Sequence, residues 1–198
     1  MAPGATTTSC SPGGFSPRAP DCPRCRRPSL VASSRTVGDY AGTLRSIIHL
    51  LKYGKRRSLA LPLARLMRIH GADVLADIDA VVPVPLHWTR RWRRGFNQAA
   101  LLAEGLDLPA WPALVRTRPT SSQVRLPATA RRRNVRGAFA LARRRPWQIP
   151  WRLAIEGKIV LLVDDVATTG ATLNACAAVL RSAGAREVRA LTAARVVG

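Results

Sequence analysis

Asp164 and Asp165 stand side by side, after the apolar run Ile159–Val163 and before Ala167-Thr168-Thr169-Gly170-Ala171-Thr172. An apolar run of that length reads as a buried strand that delivers two carboxylates at its end. The Thr/Gly stretch then opens a helix. Ligands of open α/β sheets bind beyond the carboxyl ends of strands. A helix start offers free N–H groups and the positive end of its dipole, which suit a phosphate. Gly170 allows close backbone approach, and Thr168, Thr169 and Thr172 add hydroxyl donors. The carboxylates accept hydrogen bonds, so they suit sugar hydroxyls or metal-bound water. Acceptors beside phosphate donors fit a sugar phosphate. The plainer alternative is an ordinary Asp/Thr helix cap. One cap needs one such residue, and these two Asp come from only 11 acidic residues in the chain.

Other segments carry charge or metal-binding potential. Arg90-Arg91-Trp92-Arg93-Arg94-Gly95 is suited to anions, because the guanidinium fork pairs bidentately with phosphate oxygens. Trp88 and Trp92 among these arginines also match the stacking-plus-charge pattern of single-strand nucleic-acid binders; ordinary packing is the rival reading. Arg131-Arg132-Arg133-Asn134 closes a long stretch without hydrophobic period, and Arg143-Arg144-Arg145 stands with Trp147 and Trp151 in a Pro-flanked insert. Cys22-Pro23-Arg24-Cys25, with Cys10 upstream, offers up to three thiolates of a tetrahedral zinc site. A second pair is missing, since Gly13 stands three residues after Cys10, and a decayed or accidental pair is the plainer reading. His49, His70 and His87 show no partner in sequence, and Cys176 reads as a helix core residue.

The surrounding pattern is that of one α/β domain. The chain has 198 residues, of which 47% are hydrophobic, enough for a sizeable core. Residues 1–37 are rich in Gly, Pro, Ser and Thr and read as a flexible N-terminal segment. The domain then spans 38–198. Helices are expected over Tyr40–Lys52, Ser58–Ile69, Asn97–Glu104 and Thr172–Ala183, with Gly54 and Gly184 as stops. Strands are expected at Ala80–Pro85, Leu114–Val115, Ile159–Val163 and Val188–Val196, and Arg116–Arg136 as a long loop. Strands alternating with helices imply a parallel β-sheet flanked by helices. The net charge is +21, and all but three of the 32 cations are Arg. That balance favours polyanionic partners, although a compositional drift from Lys to Arg accounts for part of it. No apolar run approaches the roughly 20 residues of a membrane span, no secretory leader is recognisable, and the cysteines are too few for a disulfide scaffold, so a cytoplasmic protein is expected. The common P-loop, dinucleotide, zinc-protease and serine-hydrolase motifs are absent.

The segment Ile159–Thr172 resembles the phosphoribosyl-pyrophosphate (PRPP) motif of the type I phosphoribosyltransferases. Further motifs resemble the ComF family of phosphoribosyltransferase-like proteins: Lys52-Tyr53-Gly54, Val82-Pro83-Val84-Pro85-Leu86, Arg94-Gly95-Phe96-Asn97-Gln98-Ala99, Arg116-Thr117-Arg118 and Gly137-Ala138-Phe139. The resemblance implies a type I phosphoribosyltransferase-like fold. It implies that Asp164 and Asp165 hold the ribose hydroxyls of PRPP and that Ala167 through Thr172, including Ala171, wrap the 5′-phosphate. It further implies a pyrophosphate loop at Val84, Pro85 and Leu86 with Arg90, Arg91 and Arg94. A mobile loop would carry Thr120, Gln123, Arg132 and Arg133, the two arginines acting with the Asp pair in catalysis. The implied reaction transfers phosphoribosyl from PRPP, with Mg²⁺, to an unnamed acceptor and releases pyrophosphate. ComF proteins usually begin with a four-Cys zinc knuckle pair, to which Cys10, Cys22 and Cys25 correspond in part. The family's association with natural competence implies a second role: PRPP sensing combined with single-stranded DNA binding and contact with DNA-uptake machinery.

Overall fold

The computed structural model describes residues 29–54, 56–87, 89, 92, 95–118 and 137–196. Its centre is a parallel sheet of four strands in the order β1-β6-β5-β2. These are β1 (Ser33–Asp39), β2 (Ala80–Pro83), β5 (Ile159–Ala167) and β6 (Glu187–Arg195). A two-stranded antiparallel hairpin, β3 (Leu114–Arg116) with β4 (Phe139–Leu141), stands apart from it. Beyond β2, Val81 exchanges backbone bonds with Pro109 and Trp111, extending the sheet by one bridge.

Alternation along β5 explains the two cores. Val160 and Leu162 face one side, where they pack with Ile155 of α5 (Trp151–Ile155) and with Cys176, Ala177 and Leu180 of α6 (Ala171–Ser182). The hairpin covers the same side through Leu114 and Phe139. Leu161 and Val163 face the other side. There they meet Ile48 and Leu51 of α1 (Gly42–Tyr53), Leu63 and Met67 of α2 (Ala60–His70), and Leu102 of α4 (Gln98–Glu104). A one-turn α3 (Ala72–Leu75) adds Val74. β5 is buried on both faces, which is why it reads as a continuous apolar run. Asp79 fixes its start: the carboxylate accepts the Ile159 N–H at 2.8 Å and pairs with Lys158 at 3.0 Å, and these bonds hold its pKa below the ordinary value.

The helices expected over Tyr40–Lys52, Asn97–Glu104 and Thr172–Ala183 are present with ends shifted by one or two residues. The helix expected from Ser58 begins as a single 3₁₀ turn, Arg57–Leu59, before α2. Two expectations need correction. The N-terminal segment assigned to 1–37 overlaps the sheet, because β1 starts at Ser33 and pairs with β6 from Ser33↔Arg189 onward. Residues just before it are anchored too: Ser29 Oγ and the Leu30 N–H both donate to Asn174 Oδ1 of α6, at 3.1 and 3.0 Å. The strand expected to end at Val163 continues through both acids to Ala167. Among the described residues no helix is long and apolar enough to cross a membrane.

Candidate functional site

The two acids lie on opposite faces of the sheet, because successive residues of a strand alternate. Asp164 follows the parity of Leu162 and sits above Cys176 of α6, with the charge of Arg116 in β3 acting on it. Asp165 follows the parity of Val163 and meets α1, where Lys52 Nζ lies 3.0 Å from its Oδ1. β6 accompanies β5 past the acids, with Asp164↔Thr192 and Val166↔Ala194 in register. β2 does not. Its pairing stops at Pro83↔Val163, with a last bond from the Val84 N–H to the Val163 carbonyl at 2.9 Å. The acids therefore emerge beside the carboxyl end of β2, the position where open α/β sheets place ligands.

The segment after β2 is built to stay there. Val84 and Pro85 are buried, and Leu86 is half-buried. Asn97 caps α4 by accepting the Ala99 N–H at 3.2 Å, and its Nδ2 donates to the Val84 carbonyl at 3.0 Å. One side chain thus starts a helix and holds the Val84–Leu86 turn against the end of β5. His87, buried next to this turn, has Nδ1 2.9 Å from Thr89 Oγ1.

After β5 the chain turns through Thr168 and Thr169 into α6. Gly170, at φ +71°, is the N-cap residue in the left-handed region, where a side chain is strained. No side chain caps α6, and open space lies where a Gly170 Cβ would project. The first N–H groups of a twelve-residue helix are thus presented without competition from a cap. Thr168 is exposed, whereas Thr169, Ala171 and Thr172 are half-buried.

The electrostatics are uneven. Burial, then the neighbouring Asp165 charge, push the Asp164 carboxyl up to about 7. The Asp165 N–H, which donates to Asp164 Oδ1 at 2.8 Å, and the charges of Lys52 and Arg116 pull against that rise. Burial, with the Asp164 charge beyond it, also raises the Cys176 thiol well above its ordinary value, which leaves an inert core thiol.

Of the residues expected in the site, Val84, Pro85, Leu86, Asp164, Asp165 and Ala167–Thr172 gather at the carboxyl ends of β2 and β5. Arg90, Arg91, Arg94, Thr120, Gln123, Arg132, Arg133, Cys10, Cys22 and Cys25 lie outside the described residues. Lys52 is a site residue that the sequence reading does not place there: it enters only as a helix end and in the motif Lys52-Tyr53-Gly54. A signal was available: Leu44, Ile48 and Lys52 recur every four residues, which puts the lysine on the inward face of α1.

A model of the phosphoribosyl transferase domain matches residues 115–196. The chain is 36% identical over 181 residues to the DNA utilization protein YhgH of Escherichia coli (strain K12), covering 85% of this chain and 74% of that protein. It is 37% identical over 169 residues to Competence protein F of Haemophilus influenzae, covering 80% and 71%. A solved structure of glutamine PRPP amidotransferase from B. subtilis aligns with 68% of this chain and 26% of its own, at a TM-score of 0.43 and 24% identity.

Proposed function

Because this chain belongs to the ComF family of phosphoribosyltransferase-like proteins, a family linked to DNA utilization and competence, we propose that it binds PRPP at the ends of β2 and β5. It then transfers the phosphoribosyl group to an acceptor. The observation that carries this reading is the acid pair at the open end of β5 followed by an uncapped helix behind left-handed Gly170. Asp164 and Asp165 accept the ribose hydroxyls. Ala167 through Thr172 enclose the 5′-phosphate with backbone N–H groups and threonine hydroxyls. The Val84–Leu86 turn faces the pyrophosphate, with Arg90, Arg91 and Arg94 supplying positive charge.

The bond from the anomeric carbon to pyrophosphate breaks, and its electron pair leaves with the pyrophosphate. The acceptor's lone pair forms the new bond at that carbon. Catalysis of such a step rests on positioning and on electrostatic stabilisation. The negative charge of the Asp pair favours the positive charge that develops on the ribose ring. By the family resemblance, Thr120, Gln123, Arg132 and Arg133 correspond to a loop that covers the site and excludes water during the reaction. Among the described residues no three His, Cys, Asp or Glu side chains come together to hold a metal. The hard oxygens of the Asp pair nevertheless suit the waters of a Mg²⁺ held by substrate oxygens, an ion that would neutralise departing pyrophosphate.

A second reading has its own support. No acidic residue stands between Asp107 and Glu156. Within that stretch Arg143, Arg144 and Arg145 precede Trp147, which is 75% exposed, and Arg152 follows it in sequence. Arg144 is pinned by its bond to the Ile149 carbonyl at 2.6 Å and by stacking on Trp151 at 3.9 Å, while Arg145 lies over Trp147 at 5.4 Å. Ordered arginines around an exposed indole suit single-stranded DNA. On this reading PRPP is a sensed ligand and the protein hands DNA on within the uptake machinery.

Pyrophosphate release decides between them. Wild-type protein is incubated with PRPP, Mg²⁺ and a panel of nucleobases and amines. Acceptor-dependent release supports the transferase. PRPP binding without release, together with oligonucleotide binding that weakens steeply with salt, supports the second reading.

A further inference from the structure

The Lys52–Asp165 contact ties α1 to β5 at the carboxyl edge of the sheet. Lys52 occupies the last turn of α1, and Asp165 the end of β5. Their charged atoms are 3.0 Å apart, and the side chains are only 15% and 12% exposed. The Tyr40 ring, between β1 and α1, lies 6.0 Å from the same ammonium. Resting on the transferase reading, we infer that Lys52 is a positioning residue: it holds the Asp165 carboxylate in place and offsets its charge so that a polyanionic sugar phosphate can approach.

The need for such a residue follows from the local charges. Two adjacent carboxylates repel each other and would repel the phosphates of the ligand. On the α6 side Asp164 is faced by Arg116 of β3 and by the un-ionised Cys176 thiol. On the α1 side Asp165 is paired with Lys52. A partly buried pair that loses its cation leaves a carboxylate in a poorly solvated place beside a second acid that repels it, so the carboxylate swings towards solvent. A displaced Asp165 no longer meets the ribose hydroxyls in hydrogen-bond geometry. Lys52 does not need to touch the ligand for this effect.

The test compares wild type, Lys52→Met and Lys52→Arg, each checked for folding by circular dichroism. PRPP affinity is measured with Mg²⁺ by calorimetry from about pH 6 to pH 8.5, a range that brackets the raised acid. Lys52→Met is expected to bind about 10- to 100-fold more weakly at neutral pH, and the pH at which affinity stops rising should move upward. Lys52→Arg should restore most of the affinity and the profile. A uniform loss at every pH indicates that Lys52 only braces the fold and overturns the inference. So does an unchanged Lys52→Met.

A ligand-free measurement separates this inference from the transferase reading. In ligand-free crystal structures, the Asp165 carboxylate should leave its wild-type position in Lys52→Met and keep it in Lys52→Arg. An unmoved Asp165 overturns the role given to Lys52. A wild type that binds no PRPP, with the Asp165 shift intact, overturns the transferase reading and leaves the hold of Lys52 on Asp165 supported.

Discussion

Asp164→Asn is expected to raise the stability of the ligand-free protein above about pH 7 and to leave it unchanged below about pH 4. The wild-type carboxyl titrates near 3.8 when unfolded and at about 7 when folded. Between those values the folded state holds a proton that the unfolded state has released. Stability therefore falls as pH rises through this window, and the whole cost is present above it. The shift corresponds to about 4 kcal/mol, of which roughly half is expected to remain, since the side chain is only half-buried and solvent screens its charge. Asparagine keeps an oxygen to accept the Asp165 N–H, so that bond survives the change. Urea titrations across the range measure it. The same variant should bind PRPP more weakly, because the amide oxygen carries no charge. Wild-type affinity should also rise with pH towards 7 more steeply than that of the variant, with the ligand's own titration common to both. A site that is destabilising when empty and ionised is what a ligand-binding position looks like when geometry serves binding rather than folding.

Leu162→Ala should cost about 3 kcal/mol and lower the melting temperature by roughly 10 °C. Leu162 is completely buried at the middle of β5. It packs in the core shared by the sheet, α5, α6 and the hairpin. The surrounding side chains come from four separate elements, so they cannot collapse together into the space left behind. Differential scanning calorimetry supplies the number. Leu162 stands two positions before Asp164, on the same face of the strand. Any loosening there should also weaken ligand binding, whereas an equally costly change at Leu102, on the other face, should affect it less.

Much of this was legible because β5 is buried on both faces. Ile159–Val163 has no polar residue to interrupt it, and the acids and glycine that follow break the pattern sharply. α1 was equally plain, since Leu44, Ile47, Ile48 and Leu51 keep a helical period. β1 was not. Ser33-Ser34-Arg35-Thr36-Val37-Gly38-Asp39 is an edge strand, and its apolar content is a single Val. It is a strand because β6 offers a complete parallel edge, a tertiary fact with no local signal. β4 was hidden by its length of three residues and by a partner more than twenty residues back in the chain. In the site, the acid pair was visible but its division between two faces was not. A strand taken to end at Val163 leaves both acids beyond its last paired residue, where period-two alternation has no force. Lys52 was missed for a related reason: a lysine in a last helical turn satisfies the dipole whether it points out or in. The four-residue spacing from Leu44 and Ile48 is what separates the two cases, and the ion pair with Asp165 shows the lysine on the inward face.

The central claim is that the ends of β2 and β5 form a PRPP site built around Asp164 and Asp165. Calorimetric titration of PRPP with Mg²⁺ into wild type and into the Asp164→Asn/Asp165→Asn double variant tests it most directly. The account predicts wild-type binding with a Kd on the order of micromolar and a loss of about 100-fold or more in a double variant that remains folded. A folded wild type that binds no PRPP, or a double variant that binds it as tightly, contradicts the account.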